Sequence, residues 1–261
     1  LQAGKIAALT RQRTKEKVIE NADFLSIVEY AEEQIRKEGG EIAWVQINDT
    51  TTAAHFSPTQ DNNPVCQPGD LIKLDIGVHI DGWIADTAFS VAIPTDDQEI
   101  QRRNEKLIAV SKEALEKAIE IAHTGTSLGE LGSAQMSVAQ KYNLTTITNL
   151  GGHTIGQYTV HNGITVPTYH SDNNMKLHDN MILAIEPFIT QGEGLIKESG
   201  SATVFMQVAQ KQTRNPYGRK ILTHIKSRKG LPFATKDLEK LFGKSATKVG
   251  LRDLVAQGII S

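Results

Sequence analysis

Residues 73–90 read KLDIGVHIDGWIADTAFS, and this stretch decides how the chain around it folds. Asp81 and Gly82 stand between two runs of alternating apolar residues, a pattern that predicts a β-hairpin with a two-residue turn. The register that follows from this turn pairs Ile80 with Trp83, Val78 with Ala85, Gly77 with Asp86 and Asp75 with Ala88. Side chains alternate across a strand, so we expect one face to be a core surface made of Leu74, Ile76, Val78, Ile80, Trp83, Ala85 and Phe89.

The other face of the predicted hairpin carries two aspartates, Asp75 and Asp86. As diagonal neighbours they lie about 7–8 Å apart, backbone to backbone, and desolvation would make them repel each other strongly. A divalent metal ion removes that repulsion, whereas the alternative is an exposed face on which both carboxylates are solvated. Their neighbours Gly77, Ile84 and Ala88 are small or apolar, which favours a lined pocket, although a one-residue bulge in the hairpin would change the register.

The composition excludes several classes of protein. Of the 261 residues 39% are hydrophobic and 22% are charged, as in an ordinary globular protein. Every apolar run is shorter than the roughly 20 residues of a membrane helix. Cys66 is the one cysteine, which excludes an internal disulfide framework and favours a reducing compartment. We therefore expect a cytoplasmic protein that does not span a membrane.

Helical periodicity predicts four helices in the first 204 residues, over roughly 3–20, 23–38, 97–123 and 129–142. Shorter apolar segments favour strands at 145–150, 154–161 and 180–189, besides the hairpin. Helices combined with antiparallel strands indicate an α+β fold rather than a doubly wound parallel sheet.

The last 57 residues differ from the rest in charge. Residues 205–261 contain 12 Lys and Arg and 3 Asp and Glu, whereas the chain as a whole has a net charge of −2. Two helices are expected there, over 231–242 and 245–259, separated by a tight turn at Gly243 and Lys244, in the manner of a helix-turn-helix or winged-helix unit. We therefore predict two domains, 1–204 and 205–261.

Three more polar residues interrupt apolar segments. His153 follows two glycines, which let the backbone approach a neighbour closely, and His161 lies at the other end of the predicted strand 154–161. Their even separation would place both imidazoles on one face of a regular strand. Glu186 lies in the predicted strand 180–189, just before a proline. Each alone is compatible with an ordinary structural role, but with the two aspartates they form a coherent set of metal ligands.

Four segments together resemble a known family. TAAHFSP at 52–58, KLDIGVHIDGWIADTA at 73–88, GGHTIGQYTVH at 151–161 and AIEPF at 184–188 are similar, in content and order, to the motifs of type II methionine aminopeptidases, the archaeal and eukaryotic branch. The resemblance implies the α+β pita-bread fold, with a helical, winged-helix-like subdomain inserted late in the chain. It also implies removal of the N-terminal methionine of nascent chains by a hydroxide that two metal ions activate.

The resemblance assigns roles to individual residues. Asp75 would bind one divalent ion, Asp86 would bridge two, and His153 and Glu186 would bind the second ion. Carboxylates with one imidazole suit Co, Mn, Fe or Zn, so the metal stays open. As catalytic and substrate-binding groups the resemblance implies Glu186 for proton transfer, with His55 and His161 at the scissile amide.

Trp44 lies one residue out of step with an aromatic residue that lines the methionine pocket in the family. It is therefore a candidate for substrate binding, with an ordinary core tryptophan as the alternative. The family's fifth ligand is a glutamate on a final strand after the inserted subdomain, and the sequence given contains no counterpart of that strand. From this we expect the 261-residue chain by itself to show little aminopeptidase activity.

Two other functions stay open on this fold. A non-enzymatic protein that binds RNA or ribosomes would lack the metal ligands, whereas four of the five positions are filled here. A prolidase-type dipeptidase is less consistent with TAAHFSP and the late helical insert. Residues 211–229 contain seven basic and no acidic side chains, which indicates either a solvated face or contact with ribosomal RNA. We expect a monomer.

Overall fold

The computed structural model describes residues 1–261, and the chain divides into two compact units. The first unit comprises Leu1–Ile93, Gln157–Thr159 and Gly200–Ser261. The second comprises Pro94–Gly156 and Val160–Ser199. Helices and antiparallel strands occur in both units, as predicted for an α+β protein. None of the helices combines the length and the apolar character that crossing a membrane requires.

A three-stranded antiparallel sheet forms the centre of the first unit. Its strands are β1 (Glu41–Asn48), β2 (Leu71–Ile80) and β3 (Trp83–Ala92), in that order. Helices α1 (Gln2–Lys15) and α2 (Phe24–Lys37) contribute to the same apolar core as one face of this sheet. α2 begins where the sequence predicts, because the Asp23 carboxylate accepts the backbone N–H of Ser26. α1 ends at Lys15, earlier than predicted.

The hairpin of β2 and β3 has the predicted register in every pair named above. Asp81 and Gly82 have φ values of 49° and 80°, so the two turn residues take the left-handed conformations that a type I′ turn requires. The predicted core face is confirmed with one correction: Trp83 is 53% exposed. Trp83 is the first residue after the turn, at the end of the hairpin, so lying on the core side of the alternation was not sufficient to bury it.

The sheet contains one β-bulge, which lies in β1 and not in the hairpin. Ile42 pairs with Val78 and Trp44 pairs with Gly77, so Ala43 is an extra residue without a partner of its own on β2. Such a bulge shifts the alternation of side chains by one residue. Ile42 and Val45 therefore both contribute to the core, and Trp44 lies on the opposite face.

Residues 200–261 belong to the first unit and contain the predicted pair of helices. The elements are β9 (Val204–Phe205), α5 (Pro216–Ile225), β10 (Phe233–Ala234), α6 (Thr235–Phe242) and α7 (Lys244–Ala256), with a 3-10 turn after α5. They share an apolar cluster formed by Phe205, Ile221, Ile225, Phe233, Leu238, Leu251, Leu254, Ile259 and Ile260. The domain boundary at 204/205 stays a prediction.

The second unit is built on two helices, α3 (Gln98–Ile121) and α4 (Leu128–Lys141). Both begin at side-chain caps, Asp97 for α3 and a reciprocal Ser127–Glu130 pair for α4. The strands are short: β4 (Thr145–Thr146), β5 (Gly152–Thr154), β6 (Thr165–Val166), β7 (Leu183–Ala184) and β8 (Ile189–Thr190). β5 lies between β6 and β7 in one sheet, and β4 pairs with β8 in another.

Two strand predictions are wrong. The segment 154–161 is not a strand, because β5 ends at Thr154 and Tyr158 takes a left-handed conformation with φ 56°. The backbone there forms a tight loop instead, closed by the N–H of Asn162, which donates to the carbonyl of Thr154. The segment 180–189 contains two separate strands, so Glu186 lies between β7 and β8 rather than within a strand.

Candidate metal centre

The two aspartates of the hairpin lie on one face, as predicted. Asp75 is opposite Ala88 and Asp86 is opposite Gly77, which makes the two carboxylates diagonal neighbours. Both side chains are partly buried, so the alternative of two fully solvated carboxylates does not describe them. Partial burial raises the cost of two like charges and favours a compensating cation.

Trp44 lies directly beside this aspartate pair. Its indole N–H donates to the Asp75 carboxylate at 2.6 Å, and its side chain is 6% exposed. The ring occupies the space above Gly77, where a Cβ atom would lie 2.4 Å from the indole carbons. Gly77 is therefore the residue that makes room for the indole.

His55 is an exposed residue in the segment that follows β1. Its backbone is left-handed, with φ 65°, and its N–H donates to the Gln46 side-chain oxygen at 2.9 Å. The next residue, Phe56, donates its N–H to Asn48 and accepts the N–H of Ile47. These bonds hold the His55 backbone against β1. Gln46 is the residue opposite Asp75 in the sheet, so the same residue of β1 pairs with the aspartate and holds the backbone of His55.

The roles of Gln46 and Asn48 were not predicted from the sequence. Both side chains are buried, on the same face of β1 as Trp44, whereas Val45 and Ile47 face the core. The polar residues alternate with apolar ones in a period of two, and this signal was available in the sequence.

In the second unit, His153 and Glu186 form a close pair. The His153 Nε2 atom lies 3.1 Å from a Glu186 carboxylate oxygen, and His153 is 7% exposed. Burial by itself lowers the pKa of the imidazole, but the hydrogen bond and the negative charge of Glu186 outweigh it, so the pKa of His153 lies above its usual value. A Cβ atom on Gly152 would lie 2.0 Å from the Ala184 carbonyl oxygen, which confirms that a glycine before His153 permits the close approach of β5 and β7.

His161 is brought to His153 by the loop and not by a strand. The two imidazole rings meet edge to face with centroids 4.3 Å apart, and His161 is exposed. The prediction that the two imidazoles lie on one face of a regular strand is therefore wrong, and the loop brings the two rings together instead.

The chemistry of these residues fits divalent ions. Asp75, Asp86 and Glu186 offer carboxylate oxygens and His153 offers an imidazole nitrogen, a set that suits Mn, Fe, Co or Zn. Metal-binding carboxylates are commonly fixed by an outer hydrogen-bond donor, and the indole of Trp44 supplies one to Asp75.

Comparison with known proteins gives consistent matches. The model of metallopeptidase family M24 matches residues 1–208. A methionine aminopeptidase of Pyrococcus horikoshii is 35% identical over 263 residues, a match that covers 100% of this chain and 87% of that protein. This chain also matches the solved methionine aminopeptidase of Rickettsia prowazekii, with a TM-score of 0.66 at 25% identity. That match covers 73% of this chain and 78% of the solved one.

A solved thermophilic Arx1 has a similar fold over a longer stretch, with a TM-score of 0.83 at 15% identity and coverage of 99% of this chain and 80% of that chain. At that identity the likeness concerns the fold alone. Together with the family match, the structural likenesses confirm the predicted pita-bread fold.

Proposed function

Because the chain belongs to metallopeptidase family M24, we propose that it removes the N-terminal methionine of polypeptides in a metal-dependent reaction. The single observation that carries the chemistry is the pair of partly buried carboxylates, Asp75 and Asp86, on one face of a hairpin within the matched residues. The substrates of this proposal are nascent chains that begin with methionine.

The proposal includes a ligand set for two divalent ions. Asp75 would hold one ion, Asp86 would contribute to both, and His153 and Glu186 would hold the second. The partial burial of the aspartates and the pairing of His153 with Glu186 support this assignment. A divalent ion, when bound, supplies Lewis acidity towards a water molecule and a peptide carbonyl.

The remaining roles belong to side chains of the chain itself. Glu186 accepts the proton of the attacking water and returns it to the departing nitrogen. The peptide C–N bond therefore breaks with a neutral amine, and not an amide anion, as the leaving group. His161 donates a hydrogen bond to the carbonyl oxygen as negative charge develops on it. His55 donates to the scissile amide from a backbone that Gln46 holds in place. Trp44 as a wall of the methionine pocket stays a prediction.

Metal binding and methionine release test the proposal together. Asp86→Asn should weaken Mn²⁺ binding by about 100-fold or more and abolish release of methionine from a Met-Ala-Ser peptide. Asp81→Asn is the matched control, because it removes one carboxylate from the same hairpin at a turn position where asparagine is equally suited. Both quantities are measured on the wild type, Asp86→Asn and Asp81→Asn side by side. Unchanged Mn²⁺ affinity in Asp86→Asn would contradict the assignment.

We also propose that the protein acts as a cytoplasmic monomer and contacts ribosomal RNA through residues 211–229. Six cations of this segment are exposed, and the segment contains no acidic residue: Lys211, Arg214, Arg219, Lys220, Lys226 and Lys229. Arg228 does not contribute, since its guanidinium donates to main-chain carbonyls inside the first unit.

The salt dependence of ribosome binding tests this contact. Replacing Arg219 and Lys220 by glutamine should lower the slope of log affinity against log salt by about 2, because each phosphate contact contributes about 1. Lys248→Gln, on α7 and outside the segment, should leave the slope unchanged. Binding that does not respond to salt, or no binding, would remove the proposal. Sedimentation of the free protein tests the monomer.

A further inference from the structure

We propose that Trp44 is a positioning residue for the metal ligand Asp75, and that Arg228 maintains the β-bulge that keeps Trp44 in place. The inference rests on the proposed function, which makes Asp75 a ligand. It gives the C-terminal residues of the first unit a role in the metal site that does not involve contact with an ion or a substrate.

The first step is the hydrogen bond itself. A buried indole N–H needs an acceptor, and at 2.6 Å the Asp75 carboxylate provides it. The indole has one donor, so it engages one carboxylate oxygen. A donor at this place fixes the plane of the carboxylate and disperses part of its charge before any ion binds.

The second step is the bulge, because it determines which face Trp44 occupies. Trp44 is opposite Gly77, two residues along the strand from Asp75 and on the same face. With a regular pairing from Ile42 onward, Ala43 would take that position and Trp44 would turn to the core face. The extra residue at Ala43 is thus the reason that the indole reaches the carboxylate.

The third step is the support of the bulge. The Arg228 guanidinium donates to the carbonyl oxygens of Ile42 at 2.8 Å and Ala43 at 2.6 Å, the two residues where the register shifts. Burial lowers the pKa of Arg228, and the charges of Asp237, Glu32 and Glu41 oppose that effect. A planar cation with several donors suits two neighbouring carbonyls better than lysine does.

The fourth step is the fit of the ring. Gly77 leaves no room for a side chain, since a Cβ atom would lie 2.4 Å from the indole. The indole therefore lies directly against the backbone of β2 at Gly77. The three residues Trp44, Gly77 and Arg228 act on one carboxylate.

Zinc binding with an NMR readout tests the inference. The chain has two tryptophans, so a ¹H–¹⁵N spectrum of the full chain contains two indole N–H signals, and Trp83→Phe assigns them. Addition of Zn²⁺ should shift the Trp44 signal and leave that of the exposed Trp83 nearly unchanged. Trp44→Phe keeps an aromatic ring but removes the donor, and it should weaken zinc binding by about 10- to 100-fold. Trp83→Phe should bind zinc like the wild type.

Arg228→Lys provides the second variant, because it retains the charge and loses the paired donors. It should shift the Trp44 indole signal in the zinc-free protein and weaken zinc binding in the same direction as Trp44→Phe. Equal zinc affinity in wild type and Trp44→Phe would overturn the inference alone, whereas a wild type that binds no zinc would overturn the proposed function as well. If Trp44→Phe does not fold, a Trp44 signal that stays fixed while zinc binds the wild type overturns the inference.

Discussion

His79 shows how a single buried side chain on the aspartate face differs from a ligand. It lies next to the hairpin turn and is 4% exposed. Its Nδ1 atom accepts the backbone N–H of Gly82 at 3.2 Å, and its ring meets Tyr158 edge to face. Accepting that bond requires an unprotonated nitrogen. Burial lowers the pKa of His79, Glu41 opposes the shift, and Arg228 and Lys229 add to it.

This lowered pKa predicts that the stability due to His79 decreases at acid pH. The unfolded chain binds a proton at His79 near pH 6.5 and the folded chain only at lower pH, so this contribution is complete above 6.5 and is lost as the pH falls through the folded pKa. In His79→Gln the free energy of unfolding should lose that dependence between pH 7.5 and 5. Urea unfolding of the metal-free protein measures it, and the exposed His178→Gln is the control. A wild type and a His79→Gln variant with parallel pH profiles would contradict the assignment.

The roles of Trp44 and Arg228 could not be predicted from the sequence. The candidate ligands could be predicted because charges inside apolar runs have few explanations. The hydrogen bond of Trp44 could not, because it depends on the extra residue at Ala43, which nothing in the local pattern indicates. Arg228 lies 185 positions further along the chain from the carbonyl that it binds at Ala43. Contacts at that separation depend on the folded structure and not on local periodicity.

Among the elements, the β2–β3 hairpin was the most predictable and the segment 154–161 the least. The turn residues Asp81 and Gly82 fix the hairpin register through their own conformations, so local chemistry was sufficient. Residues 154–161 contain the same alternation of side chains, but their backbone bonds form a loop. An alternation with a period of two residues indicates which side chains could share a face, but it does not ensure that the backbone has a partner strand.

The hairpin turn leads to a prediction about Gly82. Its φ is 80°, and a Cβ atom would lie 2.2 Å from the Tyr158 ring. Gly39 has nearly the same φ, 79°, but open space around it. Gly39→Ala should therefore cost only the left-handed strain, about 1–2 kcal/mol, whereas Gly82→Ala should cost about 1–3 kcal/mol more.

Urea unfolding of both variants measures the difference. In a Tyr158→Ala background the ring is absent, and the costs of Gly39→Ala and Gly82→Ala should become similar. Equal costs in the presence of Tyr158 would show that the ring moves away freely, and the hairpin tip would then not be anchored as the contacts indicate.

For the molecule as a whole, the C-terminal residues have both a core of their own and buried ties to the first part of the chain. Their apolar cluster lies entirely within 205–261. Yet the Lys236 ammonium, 2% exposed, pairs with Glu32 on α2 and with Asp237, and Lys240 forms an exposed pair with Glu29 on the same helix. The charge asymmetry of the sequence reveals neither tie, because it counts charges and not partners.

These two lysines allow a matched test of whether residues 205–261 unfold together with the N-terminal part. Lys236→Met leaves the buried Glu32 with only the exposed Arg36, at 3.5 Å, as a cationic partner. It should therefore lower the free energy of unfolding by clearly more than the loss of an exposed pair does, up to about 3–5 kcal/mol. Lys240→Met removes an exposed pair and should cost less than about 1 kcal/mol. Both tryptophans lie within residues 1–93, so urea unfolding followed by their fluorescence reports on a part of the chain that contains neither substitution.

The pairing itself, rather than the loss of a lysine, should account for the large effect. Replacing Glu32 by leucine in the Lys236→Met protein removes the buried carboxylate that has lost Lys236, and most of the lost stability should return. If the tryptophan transition is the same in wild type, Lys236→Met and Lys240→Met, residues 205–261 unfold independently of the sheet that carries Asp75. In that case Arg228 could be released from Ile42 and Ala43 without unfolding the sheet, and the aspartate would lose its support while the hairpin stays folded.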